Sequence, residues 1–153
     1  MQINTSQSKV NFSIKKLIVL TVNGNFSQIK GTIDLNENNI AESNIEIIVA
    51  LVGLDTKNVK RNEHLLQKDF FNAENHPEIT FNSNSFTLLN GQYSVKGDLT
   101  IAGTTKKIEV PFQFTNNRLV GSFNLNRFDY EVGKIPAFVA AKDVTIKFDL
   151  SIG

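Results

Sequence analysis

The chain has 153 residues, 41% of them hydrophobic and 20% charged, with 16 Lys and Arg set against 15 Asp and Glu. That length suits one domain with a continuous core, and the near-neutral balance excludes the strong positive field of a nucleic-acid or anionic-membrane binder. Cysteine is absent, which removes disulfides, zinc–thiolate sites and thiol catalysis.

Period-two alternation dominates from the start. Val10, Phe12 and Ile14 alternate with Asn11, Ser13 and Lys15, the pattern of a half-buried strand. A second run, 22–35, carries Phe26, Ile29, Ile33 and Leu35, with a change of phase between Phe26 and Ile29 that suggests a bulge. A third, 44–54, places Ile45, Ile47, Val49 and Leu51 on one face. Runs 78–88 and 92–102 follow, joined at Asn90-Gly91, the strongest hairpin signal in the chain. Two more, 106–115 and 118–126, meet at Asn116-Asn117, and a looser stretch, 133–141, leads to a last run through Val144, Ile146, Phe148 and Leu150.

Eight hairpin-linked strands must close on themselves or pack as two sheets to remove their edges. Several runs reach about ten residues, which favours a tilted antiparallel barrel, just wide enough to fill with side chains or to hold one small ligand. Gly24, Gly31 and Gly97 are the candidate bends. Twelve Phe, two Tyr and no Trp suit a dry core and a dry cavity equally.

One segment breaks the pattern. RNEHLLQKDFFNAENHPEITF, from Arg61 to Phe81, holds both histidines and two adjacent Phe. Val59, Leu66 and Phe70 recur at helical intervals, Thr56 or Asn58 can cap the start, and His76-Pro77 ends the element. A short helix over about 57–73 is expected, lying across the barrel mouth as a lid or plug.

Catalytic signatures are scarce. Neither a nucleophile elbow nor a phosphate-binding loop is present, and two His without Cys make a poor metal set, so neither metal nor cofactor is expected. Glu63, His64 and Asp69 form one arrangement able to do acid–base work, set against an ordinary surface role for the same residues. Arg127 and Asp129 read as a buried ion pair or as a strand-end pair. No basic stretch followed by an apolar run opens the sequence, which favours cytoplasm over a periplasmic protein shorn of its leader. No apolar run is long enough to span a bilayer as a helix. The sequence does not decide between a monomer and a homodimer.

Several ordered motifs now carry a resemblance. VNFSIKKL at Val10, VNGNFSQIKGTIDL at Val22, RNEHLLQKDFFNAENHPEITFNS at Arg61, VKGDLTIAGTTKKIEVPF at Val95 and NRFDYEVGK at Asn126 occur in order over nearly the whole chain. Together they resemble the YceI-like family of polyisoprenoid-binding proteins. The resemblance implies an all-β, eight-stranded antiparallel lipocalin-like barrel whose interior holds an isoprenoid, a quinone or another long apolar lipid, as a carrier or sequestering protein. Three positions depart from the family pattern: Lys16 stands where His is usual, Asn62 where Asp is frequent, and Glu131 where Gly is common.

On that reading Phe12, Ile14, Phe26, Phe81 and Phe123 contribute to the cavity wall, and Leu65, Phe70 and Phe71 close the mouth. Lys16, Arg61 and His64 are candidates for meeting a hydroxyl, quinone or phosphate. Each Phe serves equally well as plain core, and the Arg and His as anchors between lid and strand ends. Two rivals stand beside the carrier: an enzyme acting on such a lipid through His64 and Glu63, and a structural or stress-related module with a filled interior.

Overall fold

The protein is described by a computed structural model over residues 1–16, 20–133 and 140–153, without the Lys16 side chain. Among these residues, ten strands form one antiparallel sheet: β1 (Lys9–Lys16), β2 (Leu20–Phe26), β3 (Ile29–Asp34), β4 (Asn44–Ala50), β5 (Leu54–Asp55), β6 (Glu78–Leu89), β7 (Gln92–Ile101), β8 (Thr104–Thr115), β9 (Arg118–Asn126) and β10 (Ala140–Ser151). Their order is β3-β4-β6-β7-β8-β9-β10-β1-β2-β5.

The two ends of that order belong to one bent pair of runs. β2 passes into β3 across Ser27-Gln28, and β4 passes into β5 through the 3-10 turn Leu51–Gly53. β3 pairs with β4 and β2 with β5. The junction is laced by the Ser27 N–H to the Gly53 carbonyl (3.2 Å) and the Ala50 N–H to the Gln28 carbonyl (2.9 Å). The sheet therefore curls round on itself.

The expected count of eight is corrected to ten, because the runs 22–35 and 44–54 each break in two. Phe26 and Ile29 are both buried, and a regular strand cannot turn residues three apart to one face. The bend at Ser27-Gln28 resolves that conflict and supplies the corner a closing sheet needs.

Two-residue turns set three of the registers. Asn90 and Gly91 take φ of 52° and 77°, Ala102 and Gly103 of 50° and 82°, and Asn116 and Asn117 of 52° and 59°. Two successive positive φ values define the turn that matches strand twist. After the last of these, the β8–β9 register stops early, at Phe112–Gly121. Hydrogen-bonded pairs recur at every second residue of an antiparallel ladder, so Thr115–Arg118 and Gln113–Val120 are followed by Pro111–Ser122. Pro111 has no N–H for that rung, and beyond it β8 and β9 part towards the mouth.

The glycine bends are met in part. Register shifts fall between Ile14 and Lys16 and between Ser83 and Ser85, the second beside Gly97, the partner of Ser83. Gly24 leaves its ladder unbroken.

The helix is shorter than expected. α1 spans Val59–Leu65, capped by Asn58, whose side chain accepts the Arg61 N–H at 3.0 Å. Leu66 ends it, and wide turns follow: Phe71 N–H to the Leu65 carbonyl (3.0 Å) and Asn72 N–H to the Gln67 carbonyl (2.8 Å). Val59 is 72% exposed, so the proposed apolar face through Val59, Leu66 and Phe70 does not exist. The looser stretch 133–141 falls mostly on 134–139, outside the described residues.

One end of the barrel is packed. Residues 2 and 3 bridge Thr32 and Ile152, Ile33, Ile45 and Leu150 are fully buried, and Tyr93 stacks on its register partner Phe112 with centroids 5.2 Å apart. The other end, where α1 lies, is not filled in this way.

Candidate functional site

Two adjoining chambers occupy the interior. The inner one, about 130 Å³, is lined by twenty residues of which only Thr80 is polar. The outer one, about 230 Å³, lies towards α1 and is lined by strand residues, by α1 and its following turns, and by the segment after β9. Phe26, Ile79, Ile101, Leu125 and Ile146 line both, so the two adjoin across these side chains.

The exposure pattern is mixed. Ile14, Ile79, Phe81, Ile108, Phe123 and Ile146 all line a chamber, yet none is fully buried. An inward apolar side chain in a filled core meets close-packed neighbours on every side; these six are only half-buried, while Phe26, Val95, Leu99 and Phe112 in the same walls are buried.

Polar groups gather at the mouth. Arg61 is tied to the end of β5 by Nε to the Thr56 hydroxyl (2.9 Å) and Nη2 to the Thr56 carbonyl (2.7 Å). Asn62 completes the joint: its Oδ1 accepts from the Thr56 N–H (2.8 Å) and hydroxyl (2.6 Å), and its Nδ2 donates to Asp55 (3.1 Å). The Lys57 N–H and Asn62 hold the Asp55 carboxyl below the usual carboxylate range. His64 contacts Asp69 at 3.0 Å and meets the Phe70 ring edge-on, while Glu63 is exposed.

The 3-10 turn Arg127–Tyr130 brings two more buried polar side chains to the outer chamber. Arg127 is 5% exposed. Its guanidinium donates to the carbonyls of Ala141, Val132, Gly133 and Ala140 at 2.9–3.2 Å and lies 4.3 Å from the Phe128 ring centre. Burial pulls its pKa down. It pins the start of β10 to the turn after β9. Of the two readings of Arg127 with Asp129, a buried ion pair or a strand-end pair, the burial of Arg127 is seen, and these hydrogen bonds run to backbone carbonyls. Tyr130 is 2% exposed, and its hydroxyl is buried without a hydrogen-bond partner among the described residues.

The expected site residues fall on this cavity. Phe12, Ile14, Phe26, Arg61, His64, Leu65, Phe70 and Phe71 line the outer chamber, and Phe26, Phe81 and Phe123 the inner one. The Lys16 backbone pairs with Leu20 and Ala140, and its side chain lies outside the described residues. Arg127, Tyr130 and Val132 were not anticipated in the wall. They sit on or beside a single 3-10 turn, which has no alternation to reveal an inward face.

This is a lipocalin-like antiparallel barrel with an apolar interior, one packed end and a helix-capped mouth. The chain belongs to the YceI-like domain family, whose model matches residues 1–152. A UPF0312 protein of Photorhabdus laumondii is 31% identical over 142 residues, covering 92% of this chain and 71% of its own. Protein YceI of Escherichia coli O157:H7 is 31% identical over 146 residues, covering 92% and 72%. A UPF0312 protein of Vibrio campbellii is 33% identical over 110 residues, which span only 58% of its own length. Among solved structures, BcnA of Burkholderia cenocepacia superposes with a TM-score of 0.92 at 24% identity, covering 97% of this chain and 98% of its own. A polyisoprenoid-binding domain from Saccharophagus degradans gives 0.74 at 15% identity, covering 97% and 95%. At those identities the two structures bear on the fold.

Proposed function

We propose that the chain binds a long-chain isoprenoid or similar amphiphilic lipid inside the barrel, as a carrier or sequestering protein. The observation that carries this reading is the pair of adjoining chambers inside the barrel, walled almost entirely by apolar side chains. Burying a methylene group is worth about 0.8 kcal/mol, so the wall supplies affinity to any tail it accommodates, after ordering costs. The few polar groups at the mouth set orientation. The polyisoprenoid-binding domain with the same fold supports the ligand class. The fold alone would not, because barrels host many functions.

Mass spectrometry of an organic extract, from protein purified without detergent, tests this. A lipid present in stoichiometric amount is the expected result. An extract without lipid, followed by no binding of added isoprenoids, would overturn the reading.

A further inference from the structure

We propose that lipid enters and leaves the barrel through its side wall, by a seam between the mouth-side halves of β8 and β9, while the lid stays shut. The inference rests on the lipid-binding reading and specifies the route to that site.

The seam is a break in an otherwise continuous ladder. β7 and β8 stay paired up to Ile101–Thr104, and β9 and β10 up to Asn126–Asp143. β8 and β9 share no register beyond Phe112–Gly121, where Pro111 lacks the N–H for the next rung. Side chains do not stitch the gap either. On β8, Thr105 bonds Thr100, Lys107 reaches Asn84 and Asp98, and Glu109 accepts from Ser94, all away from β9. On β9, Asn124 accepts from Thr145 of β10. Among the described residues, no hydrogen bond crosses from residues 104–110 to residues 122–126.

Apolar packing alone closes the gap. Ile108, Phe123 and Leu125 are half-buried and line the inner chamber, and they pack against the cluster that holds Tyr130 and Val132. Leu125 lines the outer chamber as well, so the seam runs beside the junction of the two. Outside, a trough of about 600 Å³ reaches the foot of the seam, where Pro111, Gly121 and Ser122 line it.

The mouth is held more firmly. Asn62 and Arg61 together make five side-chain hydrogen bonds with Asp55 and Thr56. Beyond the lid, the Pro77 carbonyl accepts the Leu51 N–H at 2.9 Å. Between these ties the Phe70 ring meets His64 edge-on and takes the space of a Cβ on Gly133. Raising the lid disrupts such joints, whereas parting the seam asks only that Ile108, Phe123 and Leu125 move. Segments with the fewest bonds open most readily.

The chain has no cysteine, so a tether can be placed on chosen residues. Glu109→Cys and Asn124→Cys, which would face each other if the register continued, are joined by a bis-methanethiosulfonate that a reductant removes. The probe is geranylgeraniol carrying an anthranilate fluorophore, exchanged with phosphatidylcholine vesicles. The tether should slow uptake and release alike by roughly tenfold or more, leave the dissociation constant unchanged, and lose its effect on reduction. The same tether between Lys96→Cys and Glu109→Cys, register partners on the intact β7–β8 ladder, should leave both rates unchanged. Unchanged rates with the seam tethered, equal slowing by the ladder tether, or weaker binding without slower release would each overturn the side route while leaving the lipid reading standing. Failure of the untethered protein to bind the probe would remove the lipid reading, and the side route with it.

Discussion

Phe12 and Gly24 are register partners across the β1–β2 ladder, and the Phe12 ring lies over Gly24, in the space a Cβ there would take. The arrangement recurs twice. A Cβ on Gly97 would stand 2.5 Å from the Phe81 ring, and one on Gly121 2.5 Å from the Phe148 ring. All three rings line a chamber. Each glycine lets a large ring lie flat against the sheet, which keeps the middle of the barrel open.

Gly24→Ala should therefore drive the Phe12 ring inward, towards Phe26, whose centroid is 5.5 Å away. Overpacking of this kind costs about 1–3 kcal/mol. The expected result is a melting point lower by several degrees and less lipid retained per mole of protein. Phe12→Leu in the same chain should restore both, since the smaller side chain leaves room for the methyl group. A double variant no better than Gly24→Ala would count against the spatial explanation.

Asn62 joins the lid to the barrel, and it explains one departure from the family pattern. The Thr56 N–H and hydroxyl both lean on its Oδ1, while its amide nitrogen serves Asp55. Asp at this position would keep the first role and set two carboxylates side by side in the second. Asn62→Ala strands donors of the buried Thr56, at a cost of about 1–3 kcal/mol. Hydrogen exchange should quicken at Thr56 and through α1, with the β7–β8 ladder unchanged. Uniform quickening across the sheet would contradict a local joint. Asn62→Asp should weaken the joint less, and more so as pH rises through the carboxylate range.

The same joint has an acid limit. The folded state depresses the Asp55 pKa, chiefly through the Lys57 N–H and then Asn62. A depressed carboxylate stabilises above its unfolded value and loses that contribution as pH falls through the folded one. Acid should thus loosen the lid before the sheet, and Asp55→Asn should flatten the acid response of α1 exchange.

Tyr130 works in the opposite direction. Its folded pKa is about 12 against an ordinary 10.0, so its contribution is complete below pH 10 and is lost as pH rises towards 12. Lipid-free Tyr130→Phe should resist alkaline unfolding better than the parent. It should also gain about 1 kcal/mol near neutrality by removing an unpaired buried hydroxyl. Denaturant melts at pH 7 and pH 11 check both signs.

Ala102 occupies the first turn position of the β7–β8 hairpin with φ of 50°, next to Gly103 at 82°. A non-glycine residue is strained there, and Asn tolerates the conformation better. Ala102→Asn creates the favoured Asn-Gly pair and should stabilise by about 1 kcal/mol, which raises the melting point by about 3 °C in a chain of this size. Lipid content should not change, because Ala102 lines neither chamber.

The strands were legible because their inward residues alternate; parity put Phe12, Phe81 and Phe123 on an apolar face without distinguishing a cavity wall from a filled core. The corner at Ser27-Gln28 left a trace, the phase change from Phe26 to Ile29, which marked a bend without showing that it ends a strand. The lid was read too long: Leu66 and Phe70 suit a helical stripe, but Asn72 takes φ of 52° and the turns before it consume the hydrogen bonds of a continuing helix. Glu131, another departure from the family pattern, sits at φ of 57°, a left-handed position where Gly is the easy choice. Tyr130 stayed hidden, and Arg127 was read only as half of a pair with Asp129, because one 3-10 turn offers no period, and their inward placement depends on how β9 and β10 part.

The most direct test of the barrel as a lipid holder is photocrosslinking with an isoprenoid that carries a diazirine near the end of its tail. Peptides containing Val95, Leu99 and Phe112, in the inner wall, should carry the label, and excess unlabelled isoprenoid should suppress it. Label confined to the outer face of the sheet, or label that unlabelled lipid does not displace, would contradict the account.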